Sequence, residues 1–250
     1  MSNIYYPGIF VVGWIAAALI NYLCDVLPET RRFSRIICLH CHQTYPIVDY
    51  LLMKPCPTCS KWRKIRAWAV LILFVCIAIL LALFSLGRLG FWIGLLLLIY
   101  FGVVSVIDIE HRIIMHPVSI AGALIGICIG LWQHGLVATL IGGFAGLGIM
   151  LGVYFTGMLF SMWISKKRKT EFDEDAFGFG DVALSGVLGL LLGWPGIAGG
   201  LILAILFGGT GSLFVMVYAL FTKRFHSFMT IPYGPFLILG AAILIYRPGV

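Results

Sequence analysis

Charge is what this sequence has least of. Of 250 residues only 11% are charged, against roughly 25% in an ordinary soluble domain. With 61% hydrophobic residues and a mean hydropathy of +1.06, a water-soluble globule is excluded and an all-α integral membrane protein is expected. Charge is missing altogether from Met1–Cys24, Ala67–Gly87, Leu89–Ile107, Met115–Ser165, Val182–Thr222 and Ser227–Tyr246. A membrane-crossing helix needs roughly 20 apolar residues, so two of these runs are too long for one crossing. Turn-forming residues divide them at Gln133-His134-Gly135 and at Gly193-Trp194-Pro195-Gly196. About eight transmembrane helices result.

Basic residues are absent before the first span, which therefore lacks the charged start of a removable signal peptide. The segment that follows carries Arg31, Arg32, Arg35, Lys54, Lys61, Arg63, Lys64 and Arg66. Because Lys and Arg stay on the cytoplasmic side of short loops, both termini are expected outside and this segment inside. Alternation then puts fifteen of the 17 Lys and Arg inside, leaving only Arg88 and Arg247 outside. The net charge of +7 thus reads as topology and contact with anionic membrane lipid, not as nucleic-acid binding.

The soluble segment is too short for an ordinary hydrophobic core. Four of the seven cysteines offer a staple in Cys38-Leu39-His40-Cys41 and Cys56-Pro57-Thr58-Cys59, two CxxC knuckles 14 residues apart. Two facing knuckles complete a tetrahedral structural zinc site, and a reducing cytoplasm favours zinc over the alternative of two disulfides. His40 and His42 read as bystanders. Cys24, Cys76 and Cys128 fall in apolar spans and read as buried small hydrophobes. The expected organisation is a first transmembrane helix (1–27), a cytoplasmic four-cysteine zinc loop (28–66) and a seven-helix core (67–250).

Acidic residues are rarer still, ten in all. Asp108 ends the third span and Asp181 opens the sixth, both toward the cytoplasm. Two carboxylates that approach each other cannot both ionise cheaply; one keeps its proton, and the pair can activate water while polarising a peptide carbonyl. Gly178 and Gly180 would let the backbone bend and approach an extended substrate. The bland alternative is a pair of solvated charges at helix ends. Gly122, Gly126 and Gly130, Gly142 with Gly146, Gly148 with Gly152, and Ser185, Gly189 and Gly193 are spaced to let helices pack closely in lipid.

Gly178-Phe179-Gly180-Asp181 resembles the GxGD motif of intramembrane aspartyl proteases, and Asp108 with Glu110-His111-Arg112-Ile113-Ile114 resembles the first aspartate motif of the prepilin peptidases. Their order of elements is similar too. Pro46-Ile47-Val48-Asp49-Tyr50-Leu51 lies between the cysteine pairs as Pro-Val-Leu-Ser-Trp-Leu does in that family, and Asn21 and Pro28 match an Asn and a Pro at the end of its first span. The resemblance implies a membrane aspartyl endopeptidase of the inner membrane that removes the basic leader from type IV pilin or pseudopilin precursors at the cytoplasmic boundary. Asp108 and Asp181 would be catalytic. Glu110, Glu174 and Asp175 would attract the basic leader, unless the last two belong to a solvated acidic loop with Glu171.

Bifunctional members also methylate the new N-terminus with S-adenosylmethionine. This sequence departs from them at Ala17-Ala18-Leu19-Ile20, Asp25-Val26 and Leu71, and its loop has no glycine between Pro28 and Arg66 to form a dinucleotide-type cradle. Elsewhere it departs at Met115-His116 and Ala183. The competing reading is a noncatalytic zinc-loop membrane scaffold of a pilus or secretion apparatus.

Overall fold

Without water in a bilayer core, an apolar chain satisfies its backbone N–H and C=O groups internally, and among the described residues each uncharged run is mostly helix. The computed structural model describes residues 5–30, 35–38, 40–41, 43–84, 89–168, 178–222 and 232–247. Its helices are α1 (Tyr5–Thr30), α2 (Ile47–Leu51), α3 (Ile65–Phe84), α4 (Gly90–His111), α5 (His116–Arg168), α6 (Phe179–Leu192), α7 (Gly196–Phe221) and α8 (Gly234–Ile245). Among the described residues the sole strand-like pairing is an isolated bridge between Ile37 and Thr44.

Five helices, namely α1, α3, α4, α5 and α7, are long and apolar enough to cross a membrane. This is the architecture of a multi-pass membrane protein. The other two apolar helices, α6 with 14 residues and α8 with 12, are shorter. At 1.5 Å per residue they extend about 21 and 18 Å, less than a hydrocarbon core of about 30 Å. α5, with 53 residues, has the opposite excess, and its backbone leaves helical geometry at Gly135, where φ is 75°. The break falls within the predicted Gln133-His134-Gly135 turn. Likewise α6 stops where Gly193 turns left-handed (φ 64°), its N–H bonded to the Gly189 carbonyl, before α7 starts. Glycine takes such a φ at no steric cost, which is why the breaks fall there.

The chain divides into two compact units, Met1–Ile107 with Tyr246–Val250, and Asp108–Ile245. In the first, α1 and α3 pack in opposite directions: Asn21 donates to the Ala67 carbonyl at 3.1 Å, while Gly13 lies against Val75 and Ala78. Gly102 of α4 leaves room for the Phe74 ring and Ile20. Cys24 is buried there, but Cys76 and Cys128 are exposed, contrary to the burial expected of them. Their helices turn outward surfaces to lipid, where a small apolar thiol costs nothing.

The second unit is organised by α6, which packs on α5, α7 and α8. Its contact with α5 is backbone against backbone. A Cβ on Gly189 would collide with the Gly142 carbonyl, and one on Gly146 would collide with the Ser185 carbonyl. The glycine spacing read from sequence is thus used at Gly142, Gly146 and Gly189. It is not used at Gly148 or Gly152, whose added Cβ would meet nothing within 4 Å. Spacing alone does not say which small face meets a neighbour.

Gly189→Ala should therefore force the helices apart and lower stability by about 1–3 kcal/mol, the usual cost of overpacking. Gly148→Ala should stay within about 0.5 kcal/mol of the parent. Thermal unfolding of the two variants in detergent checks the contrast; equal melting temperatures would contradict the packing.

Candidate functional site

Asp108 lies in the last turn of α4, 5% exposed, and the chain leaves the helix just beyond it. Arg112 takes a left-handed φ of 54°, its N–H bonded to the Asp108 carbonyl at 2.8 Å. That conformation costs a non-glycine residue about 1 kcal/mol and turns residues 112–115 sharply toward the start of α5.

Asp181 reaches the site from the other direction, as the third residue of α6, 8% exposed. Gly178 caps that helix, its carbonyl accepting from the Asp181 backbone N–H at 3.0 Å. Asp181 in the first turn places a carboxylate where the helix dipole is positive. Behind it, buried Ser185 donates to the Asp181 carbonyl at 2.8 Å.

The two carboxylates are near enough to repel each other. A third segment completes their surroundings. The Gly234 N–H, at the start of α8, donates to Asp108 Oδ2 at 3.0 Å. A Cβ at Gly234 would stand 2.7 Å from that oxygen, so no larger residue fits without displacing the carboxylate. The adjacent Tyr233 is within the field of Asp181 and leans over Gly208 of α7. Sequence reasoning missed Gly234 and Tyr233. The available signal was Pro232-Tyr233-Gly234-Pro235 opening an apolar run, but nothing in it points to residues 126 positions away.

The glycines of the predicted motif differ in role. A Cβ on Gly180 would lie 2.8 Å from Ile114 Cβ, so this glycine lets α6 close onto the segment that follows Asp108. Gly178 has φ −75°, accessible to any residue, and a Cβ there would meet only the Gly180 nitrogen at 3.9 Å. Glu110 is exposed, two residues beyond Asp108 on α4. Glu174 and Asp175 lie outside the described residues, as does Glu171. Chemically, two buried carboxylates at repelling range are suited to holding one proton between them and activating a water molecule.

The four predicted cysteines converge in the first unit. Cys38 and Cys59 sulfurs lie 3.7 Å apart, as do those of Cys41 and Cys56. All four fall within 4.8 Å of one another. A disulfide would need about 2.05 Å, whereas the edge of a tetrahedron with 2.3 Å metal–sulfur bonds is about 3.8 Å. The separations fit a metal, not a cystine. Each knuckle is closed by backbone bonds, Cys38 N–H to the Gln43 carbonyl and Cys56 N–H to the Lys61 carbonyl. Donation from the Cys59 backbone N–H, against burial and with help from Thr58, holds Cys56 down at about 6. At Cys41 the Gln43 backbone bond opposes burial and the three neighbouring sulfurs, which leave its thiol pushed up to about 12. Four sulfurs so close could hold a metal ion such as zinc.

A second cluster, also missed from sequence, fastens this loop to α1. The Asp25 carboxylate pairs with Arg63 at 2.8 Å and with Arg66, all three largely buried. Tyr50 donates to Asp25 at 2.8 Å while the Arg63 guanidinium stacks 3.8 Å above its ring. Burial pushes the Tyr50 phenol far up, so it remains a donor.

Comparison with known proteins agrees with these motifs. The type IV leader peptidase family matches residues 95–220, half of the chain, including Asp108 and Asp181. A prepilin leader peptidase/N-methyltransferase from Aeromonas hydrophila is 24% identical over 228 residues, covering 88% of this chain and 73% of that protein. No solved structure matches the chain.

Proposed function

The chain belongs to the type IV leader peptidase family, and we propose that it is a membrane aspartyl endopeptidase that removes the leader from type IV prepilins or pseudopilins. The observation that carries this reading is a pair of buried carboxylates within range of each other's charge, Asp108 in the last turn of α4 and Asp181 in the first turn of α6.

In the proposed reaction the pair holds one proton. The ionised carboxylate takes a proton from water as its oxygen attacks the scissile carbonyl carbon, and the protonated one gives its proton to the carbonyl oxygen. Collapse of the tetrahedral intermediate returns a proton to the leaving nitrogen, releasing the leader acid and the mature amine. The Gly234 N–H holds Asp108 throughout, and the positive end of the α6 dipole steadies Asp181. A leader followed by a hydrophobic helix would present its scissile bond at the membrane boundary, the depth at which α4 ends and α6 begins. Glu110, Glu174 and Asp175 would draw in its basic residues, and Gly178, unencumbered on its exposed side, would admit its backbone.

The proposed topology has eight crossings, with α5 crossing twice about Gly135, both termini outside, and loop and site on the cytoplasmic face of the inner membrane. In it the segments 1–27, 28–66 and 67–250 are anchor, zinc loop and peptidase core. Zinc fits the four sulfurs and, when bound, contributes folding free energy to a loop with little core of its own. S-Adenosylmethionine fits less well. The cleft beside the cysteines is lined by Lys61, Arg63, Lys64 and Arg66, and its Asp25 is already paired twice. That surrounding offers no uncommitted carboxylate to a sulfonium cation, so no methyl-transfer step is assigned to these residues.

Asp108→Asn and Asp181→Asn should each lower cleavage of a pilin precursor by at least about 10²-fold while the protein remains folded, because an amide cannot take the proton from water. Gly234→Ala should cost about 10²-fold through displacement of Asp108 alone. Cleavage followed by intact mass checks all three; full turnover by either Asn variant leaves the scaffold reading instead.

Purified protein should carry about one zinc per chain, and Cys38→Ser or Cys59→Ser should release it. Elemental analysis with thiol counting decides: metal-free protein with oxidised cysteines would reject the site.

A further inference from the structure

The cysteine loop does not stand clear of α1. Asp25, near one end of that helix, is paired with Arg66 at the start of α3, so these two residues share a level. Trp14 lies eleven residues toward the other end, about 16 Å along the axis. Its indole nitrogen donates to the Leu51 carbonyl at 2.8 Å. Tyr22, between them, packs against the cysteine cluster. The segment Pro46–Met53, containing α2, thus runs back along the flank of a spanning helix. Allowing for the reach of the Trp14 side chain, it lies on the order of 10 Å past the level where α3 begins.

That level cannot be moved to bring the segment into water. Gly13 touches Val75 and Ala78, so the level of Trp14 falls near the middle of α3. A water boundary there would leave Val75 to Phe84, about 14 Å of helix, to cross a core of about 30 Å. The exposed surface of the segment beside Trp14 is apolar, with Ile47 (68% exposed), Val48 (65%) and Leu52 (54%). Beyond it polar residues enter, Lys54, Thr58, Ser60, Lys61 and Lys64, alongside exposed Trp62 and Ile65 at the approach to α3. The segment's one carboxylate, Asp49, is half-buried and carries Lys54 as its partner at 3.7 Å, a lysine long enough to keep its head at the surface.

We propose that Pro46–Met53 is a lipid-embedded element, with α2 lying in the bilayer interface along α1 and Ile47, Val48 and Leu52 among the acyl chains. The occupant is bilayer lipid because the Trp14–Leu51 bond holds these exposed apolar residues against a spanning helix, at a level that the length of α3 keeps within the bilayer. Interfacial helices lie about 5–10 Å into the headgroup and acyl boundary, in agreement with the length arithmetic. The proposal rests on the reading of α1 and α3 as membrane spans.

The test uses the full chain reconstituted in anionic-lipid vesicles. A ketone-reactive nitroxide is attached to p-acetylphenylalanine introduced singly in place of Val48, Leu52, Thr58 or Leu73, leaving every cysteine untouched. Power-saturation electron paramagnetic resonance then reads collisions with oxygen, enriched in lipid, and with a water-soluble nickel chelate. Positions 48 and 52 are expected to match Leu73, an exposed residue of α3, and to differ from Thr58. Chelate-dominated relaxation at 48 and 52 with oxygen-dominated relaxation at 73 would overturn the embedded loop alone. Chelate access at 73 as well would overturn the spanning helix on which it rests.

Discussion

The second unit depends on two helices approaching until their backbones touch. Gly142 faces Gly189, and Gly146 faces the Ser185 carbonyl, with no side chain between. In lipid there is no hydrophobic drive to push helices together, so close van der Waals approach over small residues has to supply the association. This approach fixes α6, and α6 carries Asp181. The same economy of side chains recurs toward the site, where Gly180 lets α6 meet Ile114 and Gly234 lets α8 meet Asp108. Position is set by what these residues lack.

Two buried carboxylates within range of each other's charge would be destabilising without compensating groups. The compensation comes from backbone: the Gly234 N–H to Asp108, and for Asp181 the amide end of the α6 dipole. Backbone donors suit this purpose because they neutralise nothing. A lysine in their place would form an ion pair and abolish the shared proton that the proposed reaction uses, whereas an amide dipole steadies a carboxylate and leaves the pair free to exchange its proton.

Much of this was legible in the sequence because it rests on local signals. Uncharged runs gave the helices, Gly135 and Gly193 their ends, and CxxC spacing the four sulfurs. Asp108 and Asp181 stood out because carboxylates are rare in such a chain. What stayed hidden is long-range. No local pattern separates Gly142, which meets a neighbour, from Gly148, which does not, and none joins Gly234 to Asp108. Nor did the uncharged runs show that α6 and α8 would be only 14 and 12 residues long, packed against each other and against α7.

The basic residues of the first unit show how one count can mix two causes. Eight Lys and Arg from Arg31 to Arg66 were read as a topology signal. Two of them, Arg63 and Arg66, are largely buried against Asp25. Breaking such a group by removing one partner costs several kcal/mol, about 3–5 for a buried pair, so these arginines hold the loop to α1 whichever way the protein faces. The signal that remains free to act on orientation is smaller and sits in exposed residues such as Lys54, Lys61 and Lys64. Lys54 adjoins the segment that exposes Ile47, Val48 and Leu52, through its pair with Asp49. Anchoring by Asp25 and attraction of surface lysines to anionic headgroups therefore act on the same loop, the first holding it along the helix and the second drawing its edge to the membrane.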